Sequence, residues 1–149
     1  MARDLTAAWE FLNAVTRARE RLASARPAIW EKARLPTAEH MAVLRIVPEV
    51  NPSRPGNGPD AGHIAIRVSL DTHLKDGRRL ISCVDVSASP RRWRVQPYIT
   101  LTDSGDSLFW EGQALERDDS SGFADAVDAA TNGLLDATLS LDFAALEER

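Results

Sequence analysis

Cysteine is nearly absent from the 149 residues: Cys83 stands alone. A single thiol excludes an intramolecular disulfide and fits a reducing compartment, so the expected location is the cytoplasm. No stretch approaches the ~20 consecutive apolar residues that a membrane-crossing helix needs. The first residues also lack the apolar run of a secretory signal. Lysine is scarce, occurring only at Lys32 and Lys75 among many arginines. That bias points to a GC-rich bacterial genome and says nothing of function.

Motifs for known chemistry are lacking too. His40, His63 and His73 have no ligand spacing such as i, i+4, and no cysteine cluster accompanies them, so no metal site is expected. Gly56, Gly58 and Gly62 have the wrong spacing for a dinucleotide loop and precede a strand pattern, whereas a phosphate cradle needs a helix N-terminus. Cys83 could act as a nucleophile only with a base in hydrogen-bond reach. In the register derived below, His73 lies ~13 Å along the neighbouring strand. Asp103 and Asp106 flank a Ser-Gly turn, and Asp118 and Asp119 precede a helix; both settings explain them without acid–base work. No catalytic, cofactor or metal residue is therefore assigned.

What is present is a ribbon of four strands between His63 and Gln113. Ile64, Ile66, Val68 and Leu70 alternate with Arg67, Ser69 and Asp71. Leu80, Val84 and Val86 alternate with Ile81, Cys83 and Asp85. Trp93, Val95, Ile99 and Leu101 alternate with Arg94, Gln96, Tyr98 and Thr100, and a shorter run holds Leu108 and Trp110. Such alternation marks half-buried strands.

The turns test the register, because a one-residue slip would turn a strand inside out. A three-residue Lys75-Asp76-Gly77 loop with Gly77 left-handed places Leu74 opposite Arg78, Val68 opposite Val84 and Arg67 opposite Asp85. A four-residue loop at Ser89-Pro90-Arg91-Arg92 pairs Ala88 with Trp93 and Val86 with Val95. A two-residue Ser104-Gly105 turn pairs Leu101 with Leu108 and Ile99 with Trp110. The three turns agree on one apolar face. Pro97 disagrees: it cannot donate to the ladder of an inner strand, and its partner would be Gly112.

Helices flank the ribbon. Leu5, Trp9, Leu12, Val15 and Leu22 predict an amphipathic helix over 4–25 with Asp4 as N-cap. Pro27 ends or kinks it and suits the first turn of a second short helix. Phe123, Val127, Ala130, Leu134, Ala137 and Leu141 predict a C-terminal helix capped by Ser120 or Ser121, with Gly133 marking close packing or a break. Residues 41–47, rich in β-branched side chains and followed by Pro48, read as a fifth strand. The Pro- and Gly-rich stretch 48–62 reads as a mobile loop.

The expected fold is thus a single α+β domain over 1–149. It has a four- to five-stranded antiparallel meander with N- and C-terminal helices packed on one face. In order of layers this resembles small bacterial secretion chaperones and immunity proteins, although secretion chaperones usually insert a helix among the strands. Layer order does not define function. Net charge is −4, with an excess of ten negative charges in 103–149. The acidic third is expected to lie against the basic part of the same molecule, and the chain lacks the dominant basic face of a nucleic-acid binder.

The outer sheet face supplies the functional expectation. Its rows read Asp71, Ile81, Thr100, Phe109; then Ser69, Cys83, Tyr98, Glu111; then Arg67, Asp85, Gln96, Gln113. Ile81, Cys83, Tyr98 and Phe109, rimmed by Arg67 and Asp85, resemble an association surface for a protein partner or a second copy. The leading expectation is a non-catalytic interaction or adaptor domain. The alternative is a small-molecule binder or enzyme with a pocket between sheet and helices.

Overall fold

A computed structural model describes residues 2–33, 41–47, 64–74, 77–88, 92–102, 106–117 and 122–147. The expected loop 48–62, the turn residues Lys75, Asp76, Ser89, Pro90, Arg91 and Asp103–Gly105, and Asp118–Ser121 lie outside these, as do His40 and His63.

The elements are α1 (Ala2–Ser24), α2 (Arg26–Ala33), β1 (Met41–Val47), β2 (Ile64–His73), β3 (Arg79–Ala88), β4 (Trp93–Thr102), β5 (Asp106–Glu111), β6 (Leu115–Arg117), α3 (Phe123–Leu139) and α4 (Phe143–Glu147). The strands form one antiparallel sheet in the order β1-β2-β3-β4-β5, with β6 also on β4. The meander and its flanking helices are as the alternation and turns require. The stretch 41–47 is the fifth strand, running from Met41 opposite Asp71 to Val47 opposite Ala65.

The register of the central hairpin also holds. Val68 faces Val84, Arg67 faces Asp85, and Val86 faces Val95. Gly77 has φ +90°, a backbone conformation open to glycine, and the Leu74 N–H donates to the Arg78 carbonyl at 2.9 Å.

One turn differs. Thr102 pairs with Asp106 and Leu101 with Ser107, so three residues, not two, connect β4 to β5. The register recovers at Ile99 opposite Trp110 because a bulge intervenes: Thr100 pairs with Leu108, and Phe109 is the extra residue that the register skips.

The Pro97 conflict resolves locally. The outer strand is interrupted between β5 and β6 beside Pro97. There the Gly112 N–H donates to the Pro97 carbonyl at 2.9 Å. The donor that proline lacks is replaced by the Gln96 side chain, whose Nε2 donates to the Gly112 carbonyl at 2.6 Å. A Cβ on Gly112 would lie 2.8 Å from both Pro97 Cγ and the Trp110 ring, so only glycine fits there.

The inner face of the sheet packs on the helices. Leu22, Ile29, Leu70, Leu80, Val84, Ile99 and Leu134 are completely buried, each contributing about 1.5–3 kcal/mol relative to exposure. α1 lies over β2 and β1, α3 lies over β4 and β3, and the two helices touch. Phe11 stacks on Phe123 at 5.5 Å between ring centroids, and Trp93 meets Phe123 edge-on at 5.8 Å. The basic N-terminal and acidic C-terminal parts do meet: Arg17 pairs with Asp128 at 2.6 Å, and Arg21 bonds Asn132.

Three details of the helices depart from expectation. α1 begins at Ala2, so Asp4 sits inside its first turn. Its buried stripe is Ala14, Val15, Ala18 and Leu22 with Phe11 packed against it, whereas Trp9 and Leu12 stay exposed. α3 is entered through Gly122, left-handed at φ +73°, with no side-chain cap; it passes through Gly133 unbroken, and a Cβ there would meet nothing within 4 Å. Phe143 and Leu146 belong to the separate α4 and are buried.

Candidate interaction surface

Period-two alternation places Arg67, Ser69 and Asp71 on the sheet face opposite Val68 and Leu70. The register then brings Arg67, Asp85 and Gln96 into one row, and Ser69, Cys83, Tyr98 and Glu111 into the next. β1 joins the edge of the sheet as a coplanar strand and does not fold across this face.

The centre of the face is a charged and aromatic cluster. Arg67 Nε donates to Asp85 Oδ1 at 2.9 Å, and its guanidinium lies 5.7 Å from the centroid of the Tyr98 ring. The hydrogen bond to Asp85 raises the Arg67 pKa further, so the cation is permanent. Burial pushes the Tyr98 hydroxyl well above its ordinary value and holds it neutral. Cys83, beside them, is 1 % exposed, and burial pushes its thiol up to about 12. A thiol in that state is protonated near neutral pH and is a poor nucleophile. His73, at the end of β2, pairs with Arg79, two rows from the Ser69–Cys83 pair. The register does not bring it to Cys83.

Of the six residues anticipated, the structure brings Arg67, Asp85, Cys83 and Tyr98 together and sets Ile81 one pair further along β3. It does not bring Phe109. The bulge leaves Phe109 and Trp110 both packed against the hydrophobic core. The face is therefore more ionic than an apolar patch: Arg79 meets Asp71 at 3.3 Å, and Arg94 reaches Gln96 at 3.2 Å.

The space between sheet and helices, where a ligand pocket was the alternative, is filled by completely buried Val68, Val84, Val95, Val127 and Leu134. An open cleft of about 310 Å³ lies instead at the margin, lined by Trp93, Leu115, Arg117, Gly122, Asp125 and Ala126 among others. Arg92, Trp93, Glu116 and Arg117 line another of about 300 Å³. Among the described residues no group of three or more His, Cys, Asp or Glu could hold a metal ion, and no helix is long and apolar enough to cross a membrane.

Sequence reasoning missed the exposure of Trp9 and Leu12. The signal was available: at 100° per residue these two lie well round the helix from Ala14 and Ala18, which suit close packing better than Trp does. It also missed the marginal cleft, which depends on where α3 begins. No protein-family model, curated protein or solved structure matches the chain.

Proposed function

We propose that this protein is a non-catalytic interaction or adaptor domain that docks a protein partner on the outer face of its sheet and also self-associates. The observation carrying this reading is the Arg67–Asp85–Tyr98 cluster. It combines a held cation, its counter-ion and a half-buried aromatic ring on strands backed by a rigid core. Arg and Tyr are among the side chains enriched where protein interfaces bind most strongly. A preformed ion pair also lowers the ordering cost on binding.

The test is capture of partners from the native host by the wild-type chain, by Tyr98→Glu, and by the exposed-helix control Asp136→Asn. A partner retained by the control and lost with Tyr98→Glu supports the reading. A partner retained equally by all three removes the outer face from it.

The second reading, a small-molecule binder, draws on the marginal cleft beside Trp93. Ala129→Trp would fill that cleft from α3. A ligand that raises the melting temperature of the wild type and not of Ala129→Trp would favour this reading.

A further inference from the structure

β6 continues the sheet on β4 beyond the interruption at Gly112, and its pairing fixes where its side chains fall. Arg117 pairs with Trp93 and Leu115 with Val95. Directly paired residues place their side chains on the same face. Trp93 and Val95 belong to the buried inner layer, so Leu115 and Arg117 are on the helix side of the sheet. Glu116 alternates to the outer face, where its carboxylate meets Arg94 at 3.8 Å. Core packing gives no reason for a guanidinium on the helix side.

Across from β6, α3 contributes Gly122, Asp125, Ala126 and Ala129, spaced i, i+3, i+4 and i+7 along one helix face. Three of these four have a methyl group or less as side chain, and a cleft of about 310 Å³ remains between strand and helix. Its wall includes Trp93, which also lines the adjoining cleft beside Arg92. The Trp93 Nε1–H is buried and has no acceptor. An unmade buried donor is costly, so such a wall gains more from a ligand carrying acceptor oxygens than from a hydrocarbon. Arg117 and Asp125 line the cleft from its two sides, both exposed, and among the described residues neither has an ion-pair partner.

We infer that the cleft between β6 and α3 binds a small zwitterion with an apolar side chain, a free amino acid of the leucine or phenylalanine type. Arg117 takes the carboxylate, Asp125 takes the ammonium, and the side chain lies against Trp93, Leu115 and Ala126. This rests on the small-molecule reading above, names its ligand and does not depend on the outer face. Charge selects the class. An anion would leave Asp125 facing a like charge, and a cation would do the same to Arg117, whereas a zwitterion meets both. Size agrees, since ligand pockets run from roughly 300 to 1,000 Å³ and this cleft is at the small end.

Isothermal titration calorimetry of the full chain tests this with two series of probes. Leucine and phenylalanine carry both charges. Isocaproate and hydrocinnamate keep the carboxylate alone, isoamylamine and phenethylamine keep the ammonium alone, and isoamyl alcohol and phenethyl alcohol have neither. One amino acid should bind more tightly than the other members of its series, and Ala129→Trp should abolish its binding. Arg117→Gln should weaken the amino acid and its carboxylate about tenfold and leave the amine unchanged. Asp125→Asn should weaken the amino acid and its amine about tenfold and leave the carboxylate unchanged. Such a crossed pattern cannot arise from misfolding. If an alcohol binds the wild type and not Ala129→Trp, while neither amino acid binds more tightly than its alcohol, the ligand class is wrong and the cleft reading stands. If no probe binds at millimolar concentration, or if Ala129→Trp binds as the wild type does, the inference falls together with the site it rests on.

Discussion

The inner and outer faces of the sheet take alternate residues from the same strands, yet they satisfy their polar groups differently. On the inner face the polar groups are neutral hydroxyls. Ser82 on β3 bonds Thr138 of α3 at 2.9 Å inside the core, and the Thr138 hydroxyl also donates to the Leu134 carbonyl. On the outer face ion pairs join the neutral groups: Arg67 pairs with Asp85 and Arg79 with Asp71, with the arginines about 40 % exposed. The difference follows from desolvation. A neutral hydroxyl can be buried at small cost once paired, whereas a buried charge costs several kcal/mol that its partner only partly returns. The inner face can therefore be a packed layer, and the outer face keeps its arginines near water.

The largest test of this contrast strikes the dry side. Leu134→Ala should cost about 2–5 kcal/mol, measured by urea denaturation, because α3 is held by its neighbours and cannot collapse into the space. A loss below about 1 kcal/mol would mean the inner layer is loosely packed. Next comes the interrupted edge: Gly112→Ala should cost about 1–3 kcal/mol, since the added methyl meets the Pro97 ring and Trp110. By contrast Gly133→Ala should stabilise by up to about 1 kcal/mol, because the space there is open and the helix regular. On the wet side, a double-mutant cycle on Arg67 and Asp85 should give coupling of only about 0.2–1 kcal/mol, falling as salt is raised.

A pH titration sharpens the comparison on the alkaline side. The Cys83 thiol is raised from 9.0 to about 12 in the folded protein. Above pH 9 the unfolded chain loses this proton while the folded chain keeps it, so stability declines as pH rises from 9 towards 12. Tyr98 acts in the same direction. Cys83→Ala should reduce the alkaline slope of the melting temperature. An unchanged slope would show that this thiol is not held neutral by the fold.

Much of the fold was legible because strand alternation and turn chemistry constrain one another. Arg67 opposite Asp85 and Val86 opposite Val95 follow from counting residues through the turns. The same counting failed at β4–β5, where Leu101 pairs with Ser107. A bulge adds one residue, and alternation carries no sign of it when Leu108, Phe109 and Trp110 are all apolar. That failure turned Phe109 inward and removed it from the candidate surface. Pro97 was read correctly as a conflict, but its resolution by Gln96 needed the geometry. A side-chain amide replaces a missing backbone donor only where a particular carbonyl lies within reach.

By itself the sequence determined the antiparallel meander, the apolar face, the central register and the meeting of basic and acidic segments. These rest on local periodicity, turn residues and net charge, which act over a few neighbours or need no fine geometry. Only the tertiary structure decided which face Phe109 joins and how the donor missing at Pro97 is replaced. Each depends on where a second element lies. Phe109 is apolar like its neighbours Leu108 and Trp110, and only the pairing of β5 with β4 settles that it packs against the core.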